Sequence, residues 1–347
     1  MYIRKILLFI VLAGLVGGGL FAYKVYSAFF NPNTKFNNDE AYVFIKSDDT
    51  FNDVKEVLTP LIEDLETFEQ AADRKGYATN IKGGKYAIKK GMNNNEIIGA
   101  LRSGNIPVKV AFNNQETLES LAGRIAVQIE ADSVSLLNAF KDASFLRNKG
   151  FDNGNEIVPY IPNSYEFFWN TSAEKFRDRM VVEFNRFWND DRKAKAKKLG
   201  LTPKEVVALA SIVHKETAKV DERPRVAGLY LNRLRRKMLL QADPTVIYAI
   251  KKHANDFSIV IKRVLYKDLE LDSPYNTYKY AGVPPGPIAM PDISAIDAVL
   301  SSEKHDYLYM VANVEDFGYH KFAKSMAQHN RNKEQYIRWI NAQKINR

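Results

Sequence analysis

An uncharged apolar run near the amino terminus constrains this chain more than any other feature. Ile6–Tyr23 contains no charged residue and lies between Arg4 and Lys5 on one side and Lys24 on the other. Its 18 residues would span about 27 Å as a helix, just short of a hydrocarbon core of about 30 Å. The gap closes if the helix continues to residue 26 and the Lys24 ammonium reaches toward the headgroups. The run therefore predicts a transmembrane helix over residues 6–26.

A cleaved signal peptide is the alternative, and the residues after the run argue against it. They read AYKVYSAFF, with bulky side chains where a signal peptidase site has small ones. Arg4, Lys5 and the terminal amine place positive charge before the run, which favours an amino terminus on the inside. We therefore expect a single-pass anchor in the cytoplasmic (inner) membrane. Residues 1–5 would form a short cytoplasmic end, and the rest of the chain would lie on the outer, periplasmic side.

Composition excludes several kinds of site. The 347 residues include 50 Lys and Arg against 41 Asp and Glu, a net charge of +9, and no cysteine. Without cysteine there is no disulfide scaffold, Cys-ligated zinc, iron–sulfur cluster or thiol catalysis. The basic stretch Asp190–Gly200 contains no aromatic residue on which a base could stack. It therefore predicts a solvated helix face that ends at Gly200, and we expect no nucleic-acid partner.

Hydrophobic periodicity predicts a small α+β module after the anchor. A strand around Tyr42 and Phe44 is followed by a helix, a second helix over Leu65–Arg74 and a strand over Tyr86–Ile88. A further helix over Asn95–Leu101 ends before Gly104. This order, and the segment GKYAIKKGMNNNEII, resemble the LysM-like module that binds glycan chains, although a generic small domain would show the same order. We assign residues 40–105 to this module.

The remaining pattern predicts a connecting α+β segment over residues 106–160 and a larger mixed α/β domain over residues 161–345. The first contains the strand VKVAF and helices over residues 117–128 and 133–140. Phe151–Asn170 is rich in Gly, Pro, Asn and aromatic residues and reads as an ordered connection. In the larger domain we expect helices over residues 173–188 and 202–219 and a strand over residues 307–312. The chain as a whole is predicted to be α+β.

One carboxylate lies on the apolar stripe of a well-defined helix. In LTPKEVVALASIVHKETAK, Thr202 caps the helix and Glu205 completes a capping box. The next position on the stripe is Glu216; the stripe itself is formed by Val206, Leu209, Ala210 and Val213. Desolvation raises the pKa of a carboxyl group, which suits Glu216 to general acid catalysis. The alternative is a helix-end ion pair with Arg223 or Arg225.

A metal site is not predicted. His214 and Glu216 are two residues apart, so on a helix their side chains point about 200° apart and cannot share one ion. There is no HExxH motif. His320 and His329 without a helical pairing make a poor ligand set.

Polar side chains embedded among apolar ones follow Glu216 in two segments. The first segment is Asp221–Ile250, and the second is Leu271–Pro291, which ends in a Pro- and Gly-rich loop. Thr245 and Tyr278 are two of the embedded polar residues. Aromatic faces, amides and hydroxyls together suit a sugar, whose rings offer apolar faces and many hydroxyls. We predict substrate binding by Asn232, Gln241, Asp243, Tyr248, Ser273, Tyr275, Asn276 and Thr277.

A series of motifs resembles one enzyme family. ASIVHKET, ER, VAGLYLNRL, M-LQADPTVIYA, SPYNTY, AGVPPGPI and YLYMVAN…GYHKF…HN occur in the order of the endolytic murein transglycosylases, the YceG-like family. The resemblance covers about residues 155–340. It implies a single-pass membrane protein with a LysM-like module and a catalytic domain that faces the wall. It further implies cleavage of nascent peptidoglycan strands between MurNAc and GlcNAc, leaving a 1,6-anhydro-MurNAc end and ending elongation.

The resemblance also implies roles for particular residues and partners. The second Glu of the family motif E-K-E-T matches Glu216 and is implied to be catalytic, first as acid and then as base; the first is replaced by His214. The usual EGYLFPDTY appears as YIPNSYEFFWNTS. No cofactor is implied, and the partners are peptidoglycan strands, the cytoplasmic membrane and synthases of the growing wall. With this location, the net positive charge is expected to face anionic headgroups and peptidoglycan carboxylates.

Two other functions stay open at this point. A catalytically idle scaffold would bind glycan through the LysM-like module and release no anhydro products. A hydrolytic muramidase would use a second carboxylate, Asp243 or Glu222, to activate water.

Overall fold

A computed structural model describes residues 2–342, and it begins with one long helix, α1 (Tyr2–Phe30). Its 29 residues make it about 43 Å long. Nearly all its side chains are exposed, and it is long and apolar enough to cross a membrane. The predicted limits at residues 1 and 345 lie outside the described residues.

The chain divides into two compact units, and this helix belongs to the first. The first contains the residues up to Val110 together with Val127–Ala131 and Tyr165–Ser172; the second contains Ala111–Ala126, Asp132–Ser164 and the residues from Ala173 onward. The mixture of helices and short strands confirms the predicted α+β class. The predicted domain limits at residues 105 and 160 rest on sequence patterns and remain predictions.

The first unit shows the predicted strand–helix–helix–strand order. β1 (Glu40–Ile45) pairs antiparallel with β2 (Gly84–Lys89), and α2 (Phe51–Leu58) and α3 (Leu65–Arg74) lie between them in sequence. α4 (Asn94–Ser103) follows and ends at Gly104. The strands and helices enclose one apolar core, formed by residues such as Val43, Ile45, Phe68, Tyr86, Ile88 and Ile97.

The carboxyl end of α1 is tied into this unit by buried amides. The Asn94 side-chain amide donates to the Ala28 carbonyl at 2.7 Å, and the Asn33 amide donates to the Asn94 side-chain oxygen at 2.7 Å. Ala28 itself is buried. The last turn of α1 is therefore packed into this unit, whereas the side chains of its earlier turns are exposed.

The second unit is mainly helical. Its elements are α5 (Leu118–Ala126), α6 (Ser133–Phe140), α7 (Ala143–Lys149), α8 (Ala173–Phe187), α9 (Asp190–Leu199), α10 (Pro203–Glu216), α11 (Arg223–Arg235), α12 (Asp243–Ala254), a 3-10 helix (Tyr266–Glu270), α13 (Ile293–Leu300), β5 (Tyr309–Ala312), β6 (His320–Ala323) and α14 (Met326–Ala342). β5 and β6 form an antiparallel pair. β3 (Pro107–Phe112) and β4 (Asn163–Phe168), most of whose residues belong to the first unit, form another two-stranded sheet.

Helix α10 is central to this unit because it packs against α9, α11, α12 and α13. The eight residues from Val206 to Val213 are all buried. Its start is the predicted one, since the Thr202 hydroxyl and the Glu205 carboxylate form a capping box. Its end is not: the helix stops at Glu216 instead of Lys219, because Thr217 adopts an extended conformation with φ −137°.

Other predicted elements were partly right. The lysine-rich helix α9 has one buried residue, Ala196, and ends at Gly200 in the left-handed conformation (φ 73°), as predicted. The expected connection over Phe151–Asn170 contains strand β4, which the sequence pattern did not predict. Its burial pattern shows one buried residue, Phe167, so the usual alternation of apolar and polar residues is missing.

Candidate active site

The last residue of α10 opens into a cavity. Glu216, which is half-buried as a whole residue, lines a cavity of about 230 Å³. The walls come from α10, α11, the segment before α12 and the β5–β6 pair; they are formed by Glu216, Leu229, Tyr230, Arg233, Leu240, Gln241, Asp243, Tyr278, Met310, Val311, Ala312 and His320. The buried stripe of α10 therefore ends at Glu216, which borders this cavity.

A single tyrosine holds the Glu216 carboxyl group. The buried Tyr230 hydroxyl, on α11, donates a hydrogen bond to Oε1 of Glu216 at 2.6 Å. Burial raises the pKa of Glu216; the Tyr230 hydrogen bond and the positive charge of His320 act in the opposite direction without reversing the shift. Burial and the Glu216 carboxylate together raise the pKa of Tyr230 well above its ordinary value. Glu216 thus keeps its proton to a higher pH than a free carboxyl group.

The alternative interpretation of Glu216 as an ion-pair partner is wrong. Arg223 donates to Asp292 at 3.2 Å and to the Ser294 hydroxyl at 2.6 Å. Arg225 donates to Glu303 at 3.0 Å. Neither arginine pairs with Glu216.

His214 lies in a different cluster from Glu216. Its Nδ1 is 3.3 Å from Oδ2 of Asp292 and 3.2 Å from a guanidinium nitrogen of Arg223. Burial lowers the pKa of His214, although the charge of Asp292 acts the other way. The two side chains of the H-x-E sequence therefore point to separate sites. Among residues 2–342, no group of three or more His, Asp or Glu side chains is arranged to hold a metal ion.

Two of the eight predicted binding residues line the cavity with Glu216. Asp243 starts α12 and accepts a 2.6 Å hydrogen bond from the Tyr278 hydroxyl. Gln241 is exposed and has φ +49°, in the left-handed region that non-glycine residues seldom adopt. The backbone N–H of Gln241 donates to the Thr277 carbonyl at 3.1 Å. Such conformations are held by their surroundings and often occur at functional sites.

The other six do not line this cavity. Asn232 donates to the carbonyls of His305 and Tyr307, and Asn276 donates to those of Leu269 and Leu271. Thr277 bonds to the Ala242 amide and Thr245 inside the protein, and Ser273 accepts from the Tyr275 amide. Tyr248 packs against Tyr275 with ring centroids 4.8 Å apart. Their role in substrate binding stays a prediction.

The structure also adds residues to the site that the sequence did not indicate. Arg233 on α11 donates to the carbonyls of Leu308 and Leu240, both at 2.7 Å, and its guanidinium borders the cavity. Tyr230 and His320 also line the cavity, as does Tyr278, which the sequence had already placed among the embedded polar side chains. The motifs VAGLYLNRL, SPYNTY and GYHKF contain these residues, but nothing in their local spacing distinguishes them from their neighbours.

A larger cavity offers no comparable acid. It has a volume of about 1050 Å³ and lies beside α9, α11 and the end of α13. Three carboxylates line it, and each is already engaged: Glu205 in the capping box, Glu303 with Arg225, and Asp306 with Lys324. The cavity at Glu216 is therefore the better candidate for the active site.

Known proteins resemble this chain over most of its length. A model of the YceG-like family matches residues 43–335. An endolytic murein transglycosylase of Bacillus subtilis is 31% identical over 342 residues, which cover 93% of this chain and 91% of that protein. An endolytic murein transglycosylase of Streptococcus pneumoniae is 28% identical over 361 residues; the match covers 94% of this chain and 64% of that protein.

A solved structure has a similar fold. The crystal structure of a protein described as yceG-like from Listeria monocytogenes matches with a TM-score of 0.55 and 27% sequence identity. The match covers 85% of this chain and 99% of that one. The fold and the sequence motifs thus point to the same relatives.

Proposed function

This chain belongs to the YceG-like family, and we propose that it is a membrane-anchored lytic transglycosylase that cuts peptidoglycan strands internally. The general activity, a lyase acting on murein, is supported by the relatives named above over more than nine-tenths of the chain. The observation that carries the proposal within this protein is the Glu216 carboxyl group, desolvated at the end of a buried helix and held by Tyr230 in an open cavity.

Glu216 supplies the acid of the reaction in this proposal. Its raised pKa keeps the proton on Glu216 to a higher pH than in a free carboxyl group, so it can protonate the oxygen that leaves MurNAc C1. The carboxylate that results is stabilised by the Tyr230 hydroxyl, which already donates to it at 2.6 Å. The adjacent Arg233 guanidinium, fixed by backbone carbonyls, adds positive potential to the same cavity.

The same carboxylate then acts as base. It takes the proton of the C6 hydroxyl of the MurNAc residue, whose oxygen attacks C1 and closes the 1,6-anhydro ring. The nucleophile belongs to the sugar itself, so its effective concentration exceeds that of an ordered water. One carboxyl group therefore returns to its starting state in each turnover, and the reaction consumes no cofactor.

The placement of the protein is part of the proposal. α1 is long and apolar enough to anchor the chain in the cytoplasmic membrane, with the positive charges of Arg4 and Lys5 inside. The catalytic unit would then face the wall, where nascent strands and their synthases meet it. The β1–α2–α3–β2 order supports a LysM-like glycan-binding role for the first unit.

The test compares Glu216→Gln with the intact protein on uncross-linked glycan strands. We expect anhydro-MurNAc ends from the intact chain and none from Glu216→Gln, because an amide cannot deliver the proton. Mass spectrometry identifies the products, since an anhydro end is one water lighter than a hydrolysed end. Glu166→Gln, at an exposed position of β4, is the matched control and should keep full activity. Full activity of Glu216→Gln would overturn the proposal.

A hydrolytic muramidase is the second candidate, because Asp243 lines the same cavity as Glu216. An Asp243 carboxylate could activate water where a one-carboxylate enzyme uses the C6 hydroxyl. Glu222 is a poor candidate for this role, since both of its oxygens are bonded to His320. Products that carry the added water, and that disappear in Asp243→Asn, would favour the hydrolase. Glycan binding without any cleavage would favour an idle scaffold.

A further inference from the structure

A buried carboxylate holds a histidine against the catalytic cavity. Glu222 precedes α11 and its side chain is only 2% exposed. One of its oxygens accepts from the His320 backbone amide at 2.6 Å, and the other lies 2.9 Å from Nδ1 of the imidazole. His320 also starts β6, where it pairs with Ala312 of β5. The hydrogen bond to Nδ1 thus orients the ring, while the bond to the backbone amide and the strand pairing hold the His320 main chain in place.

The free edge of the ring faces the cavity of Glu216. His320 lines that cavity, and its Nε2 has no hydrogen-bond partner within residues 2–342. Burial alone lowers the pKa of His320, but the hydrogen bond and charge of Glu222, with the charge of Glu216, raise it above its ordinary value. The bonds to His320 in turn outweigh burial and lower the pKa of Glu222. The hydrogen bond between them therefore favours the charged form of each group, a carboxylate at Glu222 and an imidazolium at His320.

The other charged groups around the His320 ring do not replace the positive charge of its imidazolium. The titratable and charged groups of the same cavity are Glu216, Tyr230, Arg233, Asp243 and Tyr278. The hydroxyl of Tyr319, the residue before His320, donates to Asp221 at 2.9 Å, and the Lys219 ammonium lies 4.6 Å from the Tyr319 ring centroid. Arg233 is the second cation of the cavity, and its guanidinium donates hydrogen bonds to backbone carbonyl groups.

We propose that the Glu222–His320 pair is an electrostatic device of the reaction, in which Glu222 orients His320 and keeps it cationic so that its charge stabilises the Glu216 carboxylate. The inference rests on the proposed function of Glu216. When Glu216 gives its proton to the leaving oxygen, negative charge appears in a desolvated site. A fixed cation in a region of low dielectric stabilises such a charge much more than water would. His320 exchanges no proton with the sugar in this step.

The proposal predicts a change of pH profile that a merely structural role would not cause. Without the His320 charge, Glu216 holds its proton more tightly, so the loss of activity at alkaline pH moves upward. We expect His320→Gln to lower kcat about tenfold and to shift the alkaline limb of the pH–activity profile upward by about one pH unit. Glu222→Gln should shift the limb in the same direction by a smaller amount. His253→Gln, at an exposed position of α12, is the matched control.

A second measurement does not depend on activity. If the two charges interact, removal of either one shifts the titration of the other. The His320 imidazole, followed by NMR in the full-length chain in detergent, should titrate above 6.5 in the intact protein and at lower pH in Glu216→Gln. This experiment uses a folded variant even if His320→Gln fails to fold.

The outcomes separate this inference from the proposed function. Full activity in Glu216→Gln overturns the function itself. If Glu216→Gln is inactive while His320→Gln folds and keeps the wild-type alkaline limb, the inference is overturned and the function stands. An imidazole titration that is unchanged in Glu216→Gln also overturns the inference.

Discussion

The hydrogen bond from Tyr230 to Glu216 gives a prediction whose size follows from the structure. Tyr230 is 1% exposed, and its hydroxyl donates to the Glu216 carboxyl group at 2.6 Å. Tyr230→Phe removes this one O–H group and keeps the ring that packs in the core. The change therefore tests the hydrogen bond with little disturbance of packing.

The magnitude depends on the difference between two protonation states. A hydrogen bond to a charged group is worth about 1.5–3 kcal/mol, and one between neutral groups about 0.5–1.5 kcal/mol. The Tyr230 hydroxyl therefore favours the ionised form of Glu216 by about 1–1.5 kcal/mol. Since about 1.4 kcal/mol corresponds to one pKa unit, its loss should raise the pKa of Glu216 by about one unit. The same energy lost in the transition state lowers kcat about tenfold.

The assay is the initial rate of formation of anhydro ends from uncross-linked glycan strands, measured by mass spectrometry across a pH series. For Tyr230→Phe we expect the alkaline limb about one pH unit higher and the plateau below it about tenfold lower. Tyr42→Phe is the matched control, because the Tyr42 hydroxyl donates to Glu40 on the surface of the first unit. A downward shift of the limb, or an unchanged profile in a folded variant, would refute the assignment of Tyr230.

Three further predictions concern stability and location. Because the pKa of Glu216 is raised, the folded chain binds this proton more tightly than the unfolded chain does. The contribution of Glu216 to the free energy of unfolding therefore falls as pH rises above 4.5. Thermal melts of Glu216→Gln should match the intact protein at about pH 4 and show a higher Tm at about pH 8. Gly286→Ala should prevent stable folding, because the added Cβ would lie 1.8 Å from the Gly154 carbonyl oxygen. Gly123→Ala has open space around its added Cβ and should stabilise α5 by about 1 kcal/mol. Equal melting curves for the two variants would contradict this reasoning. Deletion of residues 2–24 should move the protein from the membrane fraction to the soluble fraction with its thermal transition retained, and membrane association of the shortened chain would show that α1 is not the anchor.

The local elements were predictable because their signals are local. The capping box of Thr202 and Glu205 marked the start of α10, and the apolar stripe showed which face of the helix is buried. The spacing of that stripe placed Glu216 at an apolar face without knowledge of any neighbour. The end of α10 was missed by three residues, because Thr217 leaves the helix for an extended conformation that no sequence signal marked.

The partners of Glu216 were not predictable in the same way. Tyr230 is 14 residues away in sequence, and Glu222 and His320 are separated by 98. Helical or strand periodicity carries no information on contacts of this range. Polar residues in apolar surroundings, such as Asn232 and Asn276, looked like a sugar groove, yet their amides bond to backbone carbonyls. A polar side chain shows a need for a partner, and the sequence does not say whether that partner is substrate or protein.

The sequence by itself thus determined the apolar amino-terminal helix, the α+β class and the family motifs, and it made Glu216 the candidate acid. These depend on composition, on periodicity and on the order of residues along the chain. Only the tertiary structure decided that Tyr230 rather than an arginine contacts Glu216, that His214 belongs to another cluster, and that His320 faces the cavity. The reason is physical: the protonation of a carboxyl group depends on the charges and donors within a few ångströms, and those are brought together by the packing of α10, α11 and β6.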